Sequence, residues 1–233
     1  MSPPTCIILG GPNGSGKSSA YAKLQLDGVW INADEIAKEL TESIDGRAAD
    51  IAAGRAAILK IREMNETRTS FVFETTLSSQ QSINVMRDAK AAGFYVGLYY
   101  VALDSVELNI ERVKRRVEKG GHDIPEDDIR RRFFGSLAKL SAALQHADEA
   151  LLIDNSGLEP REVFRISAGS ILSFDIDRRI ALHRVFEDKV VHALELLRVG
   201  QTYCSRASID QECADFDAEL RANLPDSGPP GMK

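Results

Sequence analysis

Cysteine is scarce in this chain: three residues in 233, at Cys6, Cys204 and Cys213. An odd number so widely spaced excludes a disulfide framework and offers no metal-ligand spacing, so the thiols read as reduced ones in a cytoplasmic protein. Positive charge is not in excess either. The net charge is −6, which argues against a protein built around nucleic acid and reads most simply as an aid to solubility. No apolar run approaches the length of a membrane span, and no signal-peptide pattern opens the chain. Internal repeats and low-complexity blocks are also missing. What remains is an ordinary globular balance, 43% hydrophobic and 27% charged residues, long enough for one α/β domain with an appendage.

The apolar runs are short and alternate with amphipathic stretches. "TCIILG" (Thr5 to Gly10), "VWIN" (Val29 to Asn32), "SFVFE" (Ser70 to Glu74), "YVGLYYVAL" (Tyr95 to Leu103) and "ALLIDNS" (Ala150 to Ser156) read as buried strands. Helices are expected from about Lys17, near Asp34, over Gly46 to Asn65, through the segment closing at Gly93, over Ser105 to Lys119 and over Asp127 to His146. Alternation of this kind predicts an α/β P-loop fold in three layers, a parallel sheet with helices on both faces. Residues 1–157 form the expected catalytic domain, with a lid over about 112–132. Residues 158–206 read as a hairpin turning around Ala168 and Gly169, then an amphipathic helix, packed on that domain. Residues 207–233 read as an acidic, frayed end.

"GGPNGSGKSS", Gly10 to Ser19, carries the spacing G-x-x-x-x-G-K-[ST] at Gly11, Gly16, Lys17 and Ser18. Glycines let the backbone of Gly11, Pro12, Asn13, Gly14, Ser15 and Gly16 curl, turning the N–H groups of all but the proline towards phosphate oxygens. The following helix, with Ser19 in its first turn, adds its positive end. Lys17 is then expected to reach the β- and γ-phosphates, and the Ser18 hydroxyl to ligate magnesium. A strand before the loop and a helix after it supply the context that this motif requires.

Residues beyond the loop separate the classes of nucleotide user. A GTPase needs a base-reading N-K-x-D, which is missing. A motor ATPase usually ends an apolar run in paired acids, whereas "FVFETT" ends in one. A kinase of small molecules needs a base, an acceptor pocket and an arginine-bearing lid. Asp34 follows the second strand at the sheet edge where ligands bind; it could take a proton, hold a metal-bound water or simply cap its helix. Glu35 is the weaker competitor. Glu74 and Thr76 end the third strand at the same crevice, and a buried carboxylate there is costly without a partner. The stretch "ERVKRRVEKGGHDIPEDDIRRRF" brings Arg112, Arg115, Arg116, Arg130, Arg131 and Arg132 to both sides of a glycine-centred loop that also holds His122. Two or three of these arginines are expected on phosphate, and the rest on neighbouring carboxylates.

With these motifs in hand, the sequence resembles the zeta-toxin family of P-loop kinases. The resemblance rests on "GGPNGSGKSS", "INADEIA", "VFETTLSS", the lid and "LIDNS", and covers about residues 5 to 157. It implies a phosphotransferase using ATP (or GTP) and magnesium; the best-known members phosphorylate UDP-N-acetylglucosamine at a sugar hydroxyl. It implies Lys17 and Ser18 as phosphate and magnesium residues, Asp34 as base, and Glu74 and Thr76 as the pair holding the sugar nucleotide. Arg112 matches a lid arginine facing the γ-phosphate, and Asn155 falls in a motif at the nucleotide site. The second lid arginine of the pattern falls near His122, with Arg116, Arg131 and Arg132 as its candidate replacements. The stretch after Ser156 has no counterpart in the pattern; it could cover the site, mediate self-association or restrain activity as an antitoxin does. Two alternatives stay open: a nucleotide-binding regulatory protein, and a kinase acting on a nucleotide or RNA end.

Overall fold

The computed structural model describes residues 2–24, 26–40, 46–121 and 123–199. The acidic stretch from 207 onward, Cys204, Cys213 and His122 lie outside the described residues. The chain runs β1 (Thr5–Gly10), α1 (Lys17–Leu24), β2 (Val29–Asn32), α2 (Ala33–Leu40), α3 (Gly46–Thr67), β3 (Phe71–Thr75), α4 (Gln80–Ala91) and β4 (Tyr95–Ala102). It continues with α5 (Val106–Val117), α6 (Glu126–His146), β5 (Glu149–Asp154), β6 (Arg161–Ser167), β7 (Ser170–Phe174) and α7 (Ala181–Val199).

Among the described residues one sheet holds all seven strands, in the order β2-β3-β1-β4-β5-β6-β7. The first five are parallel to their neighbours, and β6 and β7 add antiparallel. Central strands buried on both faces read as continuous apolar runs, which is why β1 is "TCIILG". Leaving β1, the chain goes to β2 and β3 on one side and then crosses to β4 on the other. The carboxyl end of β1 is thus the point where connections part, the preferred ligand crevice of such sheets. Register sets residues beside one another there: Gly10 lies opposite Thr75 and Tyr100, and Asn32 opposite Glu74.

The two faces are unequally covered. On one, α3, α4, α5, α6 and α7 pack over residues such as Ile8, Phe73, Leu98, Tyr100 and Leu152. The other carries Ile7, Leu9, Val72, Val101, Leu151 and Ile153, packed by α1 through Ala20 and Tyr21 among the described residues. On the heavier face, α6 buries Phe133, Leu137, Leu140 and Leu144, a stripe at helical spacing, each side chain contributing about 1.5–3 kcal/mol of transfer free energy. Tyr100 sits at this interface, sharing a 2.9 Å hydrogen bond with Ser136 and meeting Phe186 of α7 edge-to-face at 5.9 Å. Its burial in apolar surroundings pushes the phenol pKa up.

The segment after β5 is more than an addition to a finished sheet. The strand β6 pairs directly with β5 and buries Val163, Phe164 and Ile166, so the core continues past residue 157. Val163 and Phe164 are adjacent and both buried, because the pairing with β5 shifts register there and interrupts the alternation. Ala168 (φ 48°) and Gly169 (φ 70°) make the hairpin turn, both in the left-handed region that two-residue hairpin loops of this type need.

Candidate active site

Three of the loop's glycines hold left-handed backbone, Gly11 at φ 139°, Gly14 at 78° and Gly16 at 97°. A Cβ on each would strike Val101 O, Asn109 O or the Asn155 side chain respectively, so no other residue fits. Neighbouring elements hold the loop from outside. Asn109 of α5 donates to Asn13 O at 2.6 Å, Asn155 donates from Nδ2 to Ser15 O at 2.7 Å, and Arg132 of α6 donates to Asn13 Oδ1 at 3.2 Å. Pro12 and Asn13 are buried, as is Ser15, whose Oγ has no hydrogen-bond partner. Ser18 and Ser19 open α1 on its exposed side. The strained curl, the helix start and the orphaned hydroxyl fit a bound polyphosphate.

Lys17 is buried, its Nζ donating to the carbonyls of Gly11 at 2.7 Å and Pro12 at 3.0 Å. Glu74 Oε1 lies 3.8 Å away, and Glu74 Oε2 accepts from Ser18 Oγ at 3.2 Å and from Asn32 Nδ2 at 3.1 Å. Desolvation lowers the Lys17 pKa, opposed by the charges of Glu74 and Asp34. Desolvation likewise raises that of Glu74, opposed by Lys17 and the Ser18 hydrogen bond. The lysine, the hydroxyl and the carboxylate therefore form one cluster at the loop. An oxygen-preferring cation fits beside Ser18 Oγ and Glu74 Oε2, both hard oxygen donors.

Asn32 was not anticipated, and it organises the acceptor side. Its Oδ1 accepts from the backbone N–H groups of Asp34 at 2.8 Å and Glu35 at 3.4 Å, capping α2. That removes the capping explanation for Asp34, whose place is one turn-position inside the helix and in the cavity. Glu35 turns instead to Trp30, accepting from its indole nitrogen at 2.9 Å. An asparagine ending a strand and preceding an acidic helix start is the signal that would have marked this residue.

A cavity of about 370 Å³ opens over these groups, lined by Asn13, Lys17, Asp34, Glu74, Thr76 and Arg132 among others. Thr76 shares a 2.8 Å hydrogen bond with Ser78, another lining residue. Asp123, Asp128 and Arg131 also line it, and of these Asp128 was not singled out from the sequence.

The arginines divide. Arg115 pairs with Glu111, Arg130 with Glu107 and Glu126, and Arg131 with Asp128. Arg132 points into the loop through Asn13, while Arg112 donates to Asn155 O at 2.8 Å. Arg112 and Arg116 line a second cavity, of about 390 Å³, with Arg115, Lys119, Gly120 and Gly121. Thus Arg131 and Arg132 share the cavity of Asp34, and Arg112 and Arg116 stand on a separate one.

Comparison with known proteins bears on the fold and the family. An uncharacterized protein of Haemophilus influenzae (strain ATCC 51907 / DSM 11121 / KW20 / Rd) is 42% identical over 129 residues, 54% of this chain and 91% of that one. The AvrRxo1-ORF1:-ORF2 complex crystallised with ATP has the same fold, with a TM-score of 0.61 at 15% identity, over 92% of this chain and 76% of that one. The PezAT chromosomal toxin–antitoxin system of the human pathogen Streptococcus pneumoniae gives 0.57 at 18% identity, over 95% and 88%. These superpositions span more of the chain than the family pattern does, and so reach past Ser156. The zeta toxin family pattern matches residues 2–158, and this chain belongs to that family.

Proposed function

We propose that the chain is an ATP- and magnesium-dependent kinase that transfers the γ-phosphate to a hydroxyl of a small molecule, with the sugar nucleotide UDP-N-acetylglucosamine the first candidate acceptor. One observation carries it: a single cavity unites Lys17 of the phosphate loop, Asp34 of α2, Glu74 of β3 and Arg132 of α6. Donor-side and acceptor-side groups from four separated stretches converge where an acceptor would sit against the loop. The likeness to a fold crystallised with ATP supports the choice of nucleotide.

In this reading the loop backbone from Gly11 to Ser19, with Asn155, holds the nucleotide. Asp34 accepts the proton of the acceptor hydroxyl as its oxygen forms the new bond to phosphorus and the β,γ-bridging oxygen leaves. Lys17 and Arg132 neutralise the charge on the transferred group, and Arg112 and Arg116 add to this from the second cavity. Magnesium, held beside Ser18 and Glu74, would supply further charge neutralisation. Glu74 and Thr76 orient the acceptor, with Arg131 and Arg132 at the cavity wall and His122 in the lid. The exposed apolar side chains Ile171, Leu172 and Phe174 of β7 support a partner or self-association through the region after residue 157. That the S. pneumoniae neighbour is a toxin–antitoxin system favours an antitoxin as the partner. A cytoplasmic site of action goes with these substrates.

The test is incubation with Mg-ATP and UDP-N-acetylglucosamine, followed by mass spectrometry of the sugar nucleotide. A gain of one phosphate that falls by about 10²–10⁴-fold in Asp34→Asn supports the proposal. ATP hydrolysis indifferent to every sugar nucleotide and other hydroxyl acceptor would sink it.

A further inference from the structure

The C-terminal helix α7 carries a histidine that the proposed chemistry does not use. His183 is 0% exposed and both ring nitrogens are engaged. Its Nδ1 accepts from the backbone N–H of Asp177 at 2.9 Å, so the ring proton sits on Nε2, which faces Asp154 Oδ2 at 3.1 Å. The other oxygen, Asp154 Oδ1, accepts from Ser156 N at 2.8 Å and Ser156 Oγ at 2.5 Å. Ser156 Oγ in turn accepts from Asp104 N at 2.7 Å, and Asp104 Oδ1 accepts from Leu182 N at 2.9 Å. The path leaves α7 at His183 and returns to it at Leu182, a closed ring of hydrogen bonds.

Asn155 stands at the apex of the turn that this ring holds. Its backbone N–H is fixed to Ala102 O at 2.9 Å. Its side chain reaches Ser15 O of the phosphate loop, and its carbonyl receives Arg112. A Cβ on Gly16 would collide with the Asn155 amide, so the loop and this turn are in direct contact.

We infer that His183 is a positioning residue for nucleotide binding: by locking Asp154 it fixes the turn that aims Asn155 at the phosphate loop and presents its carbonyl to Arg112. The helix α7, outside the stretch matched by the family pattern, thereby becomes part of the donor site. This rests on the loop's reading as a nucleotide site. A buried polar ring whose members are all satisfied holds one geometry, and removing one member releases its partners.

The experiment measures the Kd for Mg-ATP by calorimetry, and kcat and KM, on the full chain. His183→Leu should raise the Kd and the KM for ATP by about tenfold, with kcat changed less. His183→Gln, which keeps an amide N–H for Asp154, should restore most of the affinity. Val190→Ala, which trims the same helix where it packs in the core, should lower thermal stability and leave the Kd alone. In a double-mutant cycle, His183→Leu and Asn155→Ala should be strongly non-additive in ATP affinity. If His183→Leu does not fold, Ser156→Ala replaces it in every arm. A His183→Leu protein that binds Mg-ATP as the wild type does, or a cycle that is additive, overturns the inference alone. Wild-type protein that binds no nucleotide overturns the reading of the loop, and this inference falls with it.

Discussion

The donor and acceptor halves of the site are built differently. On the donor side Asn13, Ser15 and Lys17 are buried, and the loop is held by Asn109, Asn155 and Arg132 from three other elements. On the acceptor side Asp34, Ser79, Asp123 and Arg131 are exposed, and the wall is made of short polar side chains hydrogen-bonded to close neighbours. In the proposed reading the donor half is pre-organised because every ATP would present the same phosphates, and fixed dipoles stabilise them best. The acceptor half is a more exposed polar surface, its side chains held by near neighbours such as Ser78 and Asp128 rather than by distant elements.

The sharpest break of this comparison is Lys17→Met. It removes the buried cation at the loop and leaves Glu74 without it, and should reduce phosphoryl transfer by about 10³-fold or more in a steady-state assay. Next, Arg132→Ala should cost about 10–100-fold in kcat/KM, because Arg132 touches both the loop and the cavity. Thr76→Val should act on the acceptor half alone. The KM for the acceptor should rise by about tenfold while the Kd for Mg-ATP is unchanged, as one hydrogen-bonding hydroxyl is lost; a change in ATP affinity would blur the division. The acid side of Mg-ATP binding offers a further check. Burial holds the Glu74 carboxyl above the ordinary glutamate range, so protonation removes its charge at a higher pH than usual. Affinity should therefore be full above that raised pKa and fall as the pH drops through it, a limb that Glu74→Gln abolishes. Smallest of all, Arg130→Ala should change activity by less than about twofold and stability by under about 1 kcal/mol in thermal unfolding, since its pairs with Glu107 and Glu126 are at the surface.

Much of the donor half was legible because its constraints are local. Gly11, Gly16, Lys17 and Ser18 lie in one short stretch between a strand and a helix, and the left-handed glycines need no distant information. Asp34 and Glu74 were legible as acids at strand ends, since the carboxyl ends of parallel strands share one edge. Asn32 was not, because its double task depends on β2 lying beside β3 in a register that pairs it with Glu74. The lid arginines were visible as a group but not individually. Arg112, Arg115 and Arg116 are near neighbours on one helix, and only the positions of Asn155 and Glu111 decide which turns to a backbone carbonyl and which to a carboxylate. The ring through His183 joins residues far apart in sequence, and on its own this histidine reads as a member of an amphipathic helix.

By itself the sequence determined the phosphate loop and the alternation of strands and helices, because these depend on local backbone preference and hydrophobic period; the family followed from the resemblance of its motifs. The tertiary structure alone decided which arginines meet the loop, that β6 enters the sheet, and that α7 meets Asp154 through His183. Those outcomes depend on strand order and register, and on burial that makes each polar group find a partner wherever the fold brings one within hydrogen-bonding distance.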